Sequence, residues 1–177
     1  MPDDRIWTIG HSTRAIGDFV ELLQSNDIAA VADVRRFPRS RWHPQFNEGA
    51  LRDALAEEGI DYVSLPALGG RRQPLPDSVN DGWRNESFRG YADHIASEEF
   101  AEGLIDLLMI AEGLPTAIMC SEAVWWRCHR SLIADVLRFL GFDVRHIMEG
   151  GKTVEHSYTS PAHVEDGVLT YSTERTV

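Results

Sequence analysis

Residues 116–140 read TAIMCSEAVWWRCHRSLIADVLRFL. The stretch opens on a short apolar run, Thr116 to Met119, set between Pro115 and Cys120. It closes on Ser131 to Leu140, where Leu132, Ile133, Val136, Leu137 and Leu140 recur at helical spacing before Gly141 stops the turn. A buried strand handing over to an amphipathic helix is the building unit of an α/β fold. The linking run from Cys120 to Arg130 holds both cysteines of the chain and two of its five tryptophans, with Glu122, Arg127, His129 and Arg130. Thiol, carboxylate, imidazole and guanidinium groups at this density exceed what folding requires, so the stretch that decides the fold also marks a functional site.

The same alternation extends in both directions. Ile6 to Ile9 reads as a buried first strand, followed by a helix capped by Thr13 with Ile16, Phe19, Val20 and Leu23 on its apolar face. Ala29 to Val34 is a second strand. Asn47 caps a helix carrying Leu51, Ala54 and Leu55, and Gly59 ends it. Tyr62 to Leu65 is a third strand, closed by Pro66 and Gly69-Gly70, and the polar segment 71–85 is long enough for a lid or binding loop. Helices resume near Ser87 and Ser97. Val144 to Met148 is a fifth strand, Gly150-Gly151 turns the chain, and a short hairpin is expected around Val168 to Tyr171. Alternating strands and helices predict a single-domain, three-layer α/β fold with a mainly parallel central sheet of about five strands flanked by helices. Residues 6–156 form the core of this one domain, and 157–177 a polar C-terminal extension.

Composition narrows the function classes. The 177 residues carry a formal charge of −11, which disfavours non-specific binding to nucleic acid or acidic membranes. No apolar run reaches the roughly 20 residues that span a bilayer, and Met1 to Arg5 show neither the basic start nor the apolar stretch, so no secretion signal is expected. With only two cysteines, a cytoplasmic location is expected. Against this acidic background, four arginines and no acid lie between Arg35 and Gln45, Arg71-Arg72 follow, and Lys152 is the only lysine. Arginine suits fork-like recognition of phosphate or carboxylate, so a local anion site is the natural reading.

In parallel sheets, ligands bind outside the carboxyl ends of the strands. Those ends carry His11 and Ser12 after the first strand, Asp33 and Arg35 at the second, and Gly69, Gly70 and Arg71 after the third. Cys120 and Glu122 follow the fourth, and His146 to Gly151 the fifth. Five chain segments thus deliver polar or glycine residues to one rim.

The same segments carry a family resemblance. Thr8-Ile9-Gly10-His11-Ser12, Asp33-Val34-Arg35 with Pro38 and Ser40, and Leu68-Gly69-Gly70 form its first part. Met119-Cys120-Ser121-Glu122, Cys128-His129-Arg130 and His146-Ile147 with Gly151 and His156 complete it. Together they resemble the bacterial domain-of-unknown-function 488 family from about Ile6 to His156, which implies a fold type and a site but no substrate. Asp33-Val34-Arg35 and the strand ending in Cys120 are also similar to rhodanese-type sulfurtransferases. The loop after Cys120 is longer than a persulfide cradle and lacks its small residues.

Each candidate has a chemical reason. Cys128, near a helix amino terminus and flanked by Arg127, His129 and Arg130, is placed to have a lowered thiol pKa. Cys120, after Ala117-Ile118-Met119, reads equally as a small buried hydrophobe. The catalytic candidates are Cys120, Glu122, Cys128, His129 and Asp33, with Glu122 expected to orient Arg130 or Arg35, and Asp33 open to a catalytic role, to pairing with Arg35 or to capping a helix. The binding candidates are His11, Ser12, Arg35, Gly69, Gly70 and Arg130. Trp125-Trp126 either stack on a planar ligand or plug the gap between loop and core. A metal would draw on Cys120, Cys128, His129 and His11, but their spacing is not that of a structural zinc site, so no metal is assigned and the cofactor stays open. The expected partner is a small anionic, phosphate-bearing or nucleotide-like ligand on an intracellular enzyme. The alternatives are a nucleotide or nucleic-acid binding module, with nucleic acid not favoured, and sulfur transfer or thiol redox.

Overall fold

A computed structural model describes residues 4–174. Five parallel strands form its centre: β1 (Arg5–Gly10), β2 (Ala30–Asp33), β3 (Asp61–Ser64), β4 (Thr116–Cys120) and β5 (Asp143–Ile147). They are joined by the helices α1 (Ile16–Gln24), α2 (Glu48–Glu57), α3 (Glu86–Ile95), α4 (Glu98–Gly113) and α5 (Arg130–Phe139). A sixth strand, β6 (Thr153–Glu155), adds to β5 in antiparallel register, giving the order β3-β2-β4-β1-β5-β6. The sheet is therefore one strand wider than its apolar runs predict. Every β6 residue is exposed, so burial leaves no mark on it, and pairing is set by the turn at Gly150 and Gly151, both at positive φ. A separate hairpin, β7 (His163–Glu165) with β8 (Val168–Thr170), falls where the hairpin was expected.

Side-chain alternation sorts the strands into two faces. Trp7 and Ile9 of β1 and Ala117 and Met119 of β4 pack with Phe19, Leu23, Leu51 and Leu55 of α1 and α2. Ile6, Ile118, Cys120 and Val144 pack on the other side with Tyr91, Leu107, Leu132 and Leu137 of α3, α4 and α5. The result is a three-layer domain. By the same alternation Thr8 and His146 face α5, a placement that matters below. No helix among the described residues is long and apolar enough to cross a membrane.

Two caps differ from expectation. The first helix starts at Ile16 with Ala15 as its uncapped boundary, because Ser12 turns the chain at φ 50° and the helix begins only beyond Thr13. Asn47 does precede α2, but its side chain accepts from the Ser40 backbone N–H instead of the helix. Asn85 and Ser97 cap α3 and α4 with their side chains. The 71–85 segment is not loose. Asp93 of α3 accepts from Leu75 N–H, Ser78 and Asn80, and Gly82 donates to the Tyr171 carbonyl.

The order also places the site. The chain leaves β2 for β3 on one side and leaves adjacent β4 for β5 on the other. Neighbouring strands whose connections diverge leave a crevice at their carboxyl ends.

Candidate functional site

The linking run forms one wall of that crevice. His11 and Ser12 N–H groups donate to the Cys120 and Ser121 carbonyls at 2.9 and 3.0 Å, extending the β1–β4 pairing past the sheet edge. A Cβ at position 10 would lie 1.7 Å from the Glu122 carbonyl oxygen, so only glycine lets the run cross β1 this closely. Trp125 to Arg127 then form one tight turn that returns the chain to Cys128 just ahead of α5. Trp125 lies flat on His146, with ring centroids 4.3 Å apart and planes 2° from parallel. That face is therefore closed to any ligand. Trp126 is 51 % exposed.

The two thiols meet at the crevice floor. Cys128 Sγ and Cys120 Sγ are 2.7 Å apart, and neither is in a disulfide. They differ electrostatically. Burial pushes the Cys120 thiol well above the usual range, and its contact with Cys128 adds to this. Burial acts on Cys128 in the same sense. There, however, the hydrogen bond with Cys120 and the charge and N–H donors of Arg130 outweigh it, and the thiol pKa falls. Placement at the amino end of α5 works in the same direction.

His129 is fixed by its surroundings. Its Nε2 lies 2.8 Å from the Val34 carbonyl, which can only accept, so Nε2 carries the proton. Nδ1, 3.4 Å from Cys128 Sγ, is then free to take the thiol proton. Burial lowers the His129 pKa, keeping the ring neutral before that transfer. A Cβ on Gly70 would come within 2.8 Å of His129 Nδ1, so this glycine makes room for the imidazole.

Arg35 is held from behind. Its Nε and Nη2 donate to the Asp33 carboxylate at 2.9 and 2.7 Å, and Tyr62 donates to the same group. Burial opposes the arginine charge, but the Asp33 contacts win and raise its pKa. The His11 Nδ1–H donates to the Ser12 carbonyl, leaving Nε2 to accept from Arg35 Nη1 at 3.4 Å. His11 stacks on Phe46, and burial lowers its pKa to about 4, so it is neutral near pH 7.

The crevice encloses about 440 Å³ and is lined by Arg35, Arg36, Arg39, Arg71 and Arg127, with Phe37 and Phe88, around Cys120, Cys128 and His129. Glu122 is the single carboxylate of the lining. Among the described residues, Arg39, Arg71 and Arg127 form no ion pair. A chain of net charge −11 thus concentrates unpaired guanidinium groups over its more acidic thiol.

Behind Cys128, Arg130 is 1 % exposed and, among the described residues, forms no ion pair with a carboxylate. Its Nη2 donates to the Glu122 and Ala123 carbonyls, and its Nη1 donates to Thr8 Oγ1 at 3.1 Å. From Thr8 a buried chain continues to His146 Nδ1 (2.6 Å), then from His146 Nε2 to His156 Nδ1 (2.8 Å), then from His156 Nε2 to Asp135 (2.8 Å). Burial, with the His156 and Arg130 charges, lowers the His146 pKa to about 2. With His146 neutral, one continuous run of donors satisfies every link. Arg130 donates to Thr8, Thr8 to His146, His146 to His156, and His156 to the Asp135 carboxylate. A buried guanidinium and a buried carboxylate are thereby connected through Thr8, His146 and His156.

The sequence candidates divide accordingly. Cys120, Glu122, Cys128, His129, Arg35 and Gly70 reach the crevice lining. His11, Asp33 and Arg130 stand behind it as supports. Ser12 serves the turn, and Gly69 lets the Arg36 backbone pass, with a Cβ there only 2.5 Å from Arg36 Cα. The expectation that Glu122 orients Arg130 or Arg35 through its carboxylate is corrected: the backbone carbonyl makes the Arg130 contact while the side chain is exposed. Tyr62 and Asp135 are not among the sequence candidates, and Thr8 enters there only as part of the family resemblance. Among the described residues, no group of three His, Cys, Asp or Glu side chains is arranged to hold a metal ion. His11, named among possible ligands, is turned toward Arg35.

No curated protein and no solved structure matches this chain. A family model described as "Domain of unknown function DUF488" matches residues 15–137, which takes in the cysteine run, Arg35, His129 and Asp135 and leaves out Thr8, His11, His146 and His156. With well over half of its length matched, the chain belongs to the DUF488 family.

Proposed function

We propose that this protein is an enzyme in which the Cys128 thiolate attacks an anionic substrate held in the arginine-lined crevice. The observation that carries the reading is the placement of a thiol with lowered pKa at the floor of a crevice bearing three unpaired guanidinium groups. The substrate's negative charge, on phosphate or a comparable oxyanion, is met by Arg39, Arg71 and Arg127, with Arg35 fixed by Asp33 at the inner end. His129 Nδ1 takes the Cys128 proton. The sulfur pair then forms the new bond while the leaving group departs with its own electrons and receives that proton. Phe37 and Phe88 offer apolar walls for the uncharged part of the substrate. A binding module built on both tryptophans is less well supported, because Trp125 spends its face on His146.

A pair of alkylating reagents tests this. Iodoacetate and iodoacetamide deliver the same electrophile with and without a negative charge. Cys128 is expected to react faster with the charged reagent, and the preference should fall about tenfold when Arg71 and Arg127 are both alanine. High salt should erase it in the wild type. Slower reaction with iodoacetate than with iodoacetamide at low salt would overturn the reading.

A further inference from the structure

We propose that the electrophile is sulfur: the protein reduces an anionic disulfide, with Cys128 attacking and Cys120 resolving the adduct. This rests on Cys128 being the crevice nucleophile and adds the identity of the bond it attacks.

The second thiol is the reason. Cys120 Sγ stands 2.7 Å from Cys128 Sγ, against about 2.05 Å for a sulfur–sulfur bond, so joining them needs little movement of the strand end or the helix start. A phosphoryl or acyl group on Cys128 leaves its sulfur non-electrophilic, and a contacting thiol has nothing there to displace. A sulfur substituent turns Cys128 Sγ into the atom a neighbouring thiol attacks.

The pair is also ordered. Cys128 is 6 % exposed and Cys120 1 %, so substrate in the crevice meets Cys128 first. The 2.7 Å contact raises the Cys120 pKa and lowers that of Cys128, so Cys128 is the thiol that ionises first and Cys120 is kept in reserve. The groups facing the pair are few: Arg130 and His129 from the helix start, Tyr91 from α3, and the Glu122 carbonyl, 3.7 Å from Cys120 Sγ. Among them His129 is the base.

The bonds balance in two steps. Cys128 sulfur bonds to one sulfur of the substrate, the substrate disulfide breaks, and the first thiolate leaves with the bonding pair and takes the proton held by His129. Cys120 then gives its proton to His129 and its sulfur attacks Cys128 Sγ, expelling the second thiolate, which is protonated in turn. The substrate disulfide is reduced to two thiols, and the cysteine pair is oxidised to one disulfide. A small dithiol reductant returns the pair to its starting state.

Glutathione disulfide, an anionic disulfide, serves as the probe under anaerobic conditions with the full chain. The wild-type protein should lose two hydrogens, form a disulfide between Cys120 and Cys128 identified by peptide mass mapping, and release two equivalents of glutathione. Cys120→Ser should stop at a glutathione adduct on Cys128, and Cys128→Ser should not react. A neutral hydroxyethyl disulfide should react about tenfold more slowly. Accumulation of the mixed disulfide on the wild type, with Cys120 free, would overturn the resolving role. If that occurs while Cys128 keeps its preference for iodoacetate, the crevice reading stands and this inference alone falls. A Cys128 inert to both reagents removes the two together.

Discussion

Lowering the pH from about 7.5 to about 5 is expected to remove about 4 kcal/mol of folding stability through His11 and His146 alone. Burial holds both imidazoles neutral, lowering their pKa values from 6.5 to about 4 and about 2. In the unfolded chain both titrate at the ordinary value. Their contribution is complete above pH 6.5 and is lost as the pH falls, because only the unfolded chain then binds the two protons. Each histidine removes about 1.4 kcal/mol per pH unit below 6.5, until His11 regains its proton near pH 4 and His146 continues alone. His94 and His129 are shifted downward by burial and add loss in the same direction. Typical domains hold about 5–15 kcal/mol, so this loss is a large share of the total and should lower the urea midpoint markedly. Urea titrations at pH 7.5, 6 and 5 check this. Equal midpoints across the series would mean that the histidines are not held neutral.

These histidines show where the sequence is informative. Apolar spacing in 116–140 reveals a strand and a helix, and together with the shorter runs before and after it gives the layers and the parallel sheet. Of the polar and glycine residues placed at strand ends, Arg35, Gly70, Arg71, Cys120 and Glu122 line the crevice together with Cys128 and His129. His146 of the fifth segment is instead buried against Trp125. Backbone partners leave no such trace. The carbonyls of Val34 and Glu122, which set the His129 tautomer and hold Arg130, belong to every residue type. Glu122 attracts notice for its carboxylate, yet its backbone carbonyl makes the contact with Arg130. Long-range polar contacts are equally hidden. Asp135 lies at the edge of the α5 apolar stripe, and its burial follows from the segment 156–171 folding back over the helix. That segment is polar in composition, yet it buries His156 and Tyr171. Leu140, placed on the apolar side by periodicity, is half exposed because the helix ends before it.

Replacing Asp135 with alanine is expected to destabilise the fold by about 3–5 kcal/mol, the usual cost of removing one member of a buried charged network. Its carboxylate accepts from His156 Nε2, the Thr159 N–H, the Thr159 hydroxyl and the Tyr171 hydroxyl, and water reaches none of these bonds easily at 0 % exposure. Alanine leaves the His156 N–H without an acceptor and deprives Arg130 of the counter-charge at the far end of the chain through Thr8 and His146. Asparagine keeps an acceptor for His156 and lacks the charge. The difference between the two variants therefore separates hydrogen bonding from charge pairing. If charge matters, Asp135→Asn should lose nearly as much as alanine; if only the hydrogen bonds matter, it should lose about half. Both variants should also loosen the segment that follows His156, because Thr159 and Tyr171 hydrogen-bond to α5 through this side chain. Faster proteolytic cleavage within 157–171, measured alongside urea unfolding, reads that release directly. A loss below about 1 kcal/mol in Asp135→Ala with unchanged cleavage would mean that Asp135 closes no network. Arg130, Thr8 and the paired histidines would then have to hold the cysteine wall without a buried counter-charge, which the cost of burying an unpaired guanidinium makes untenable.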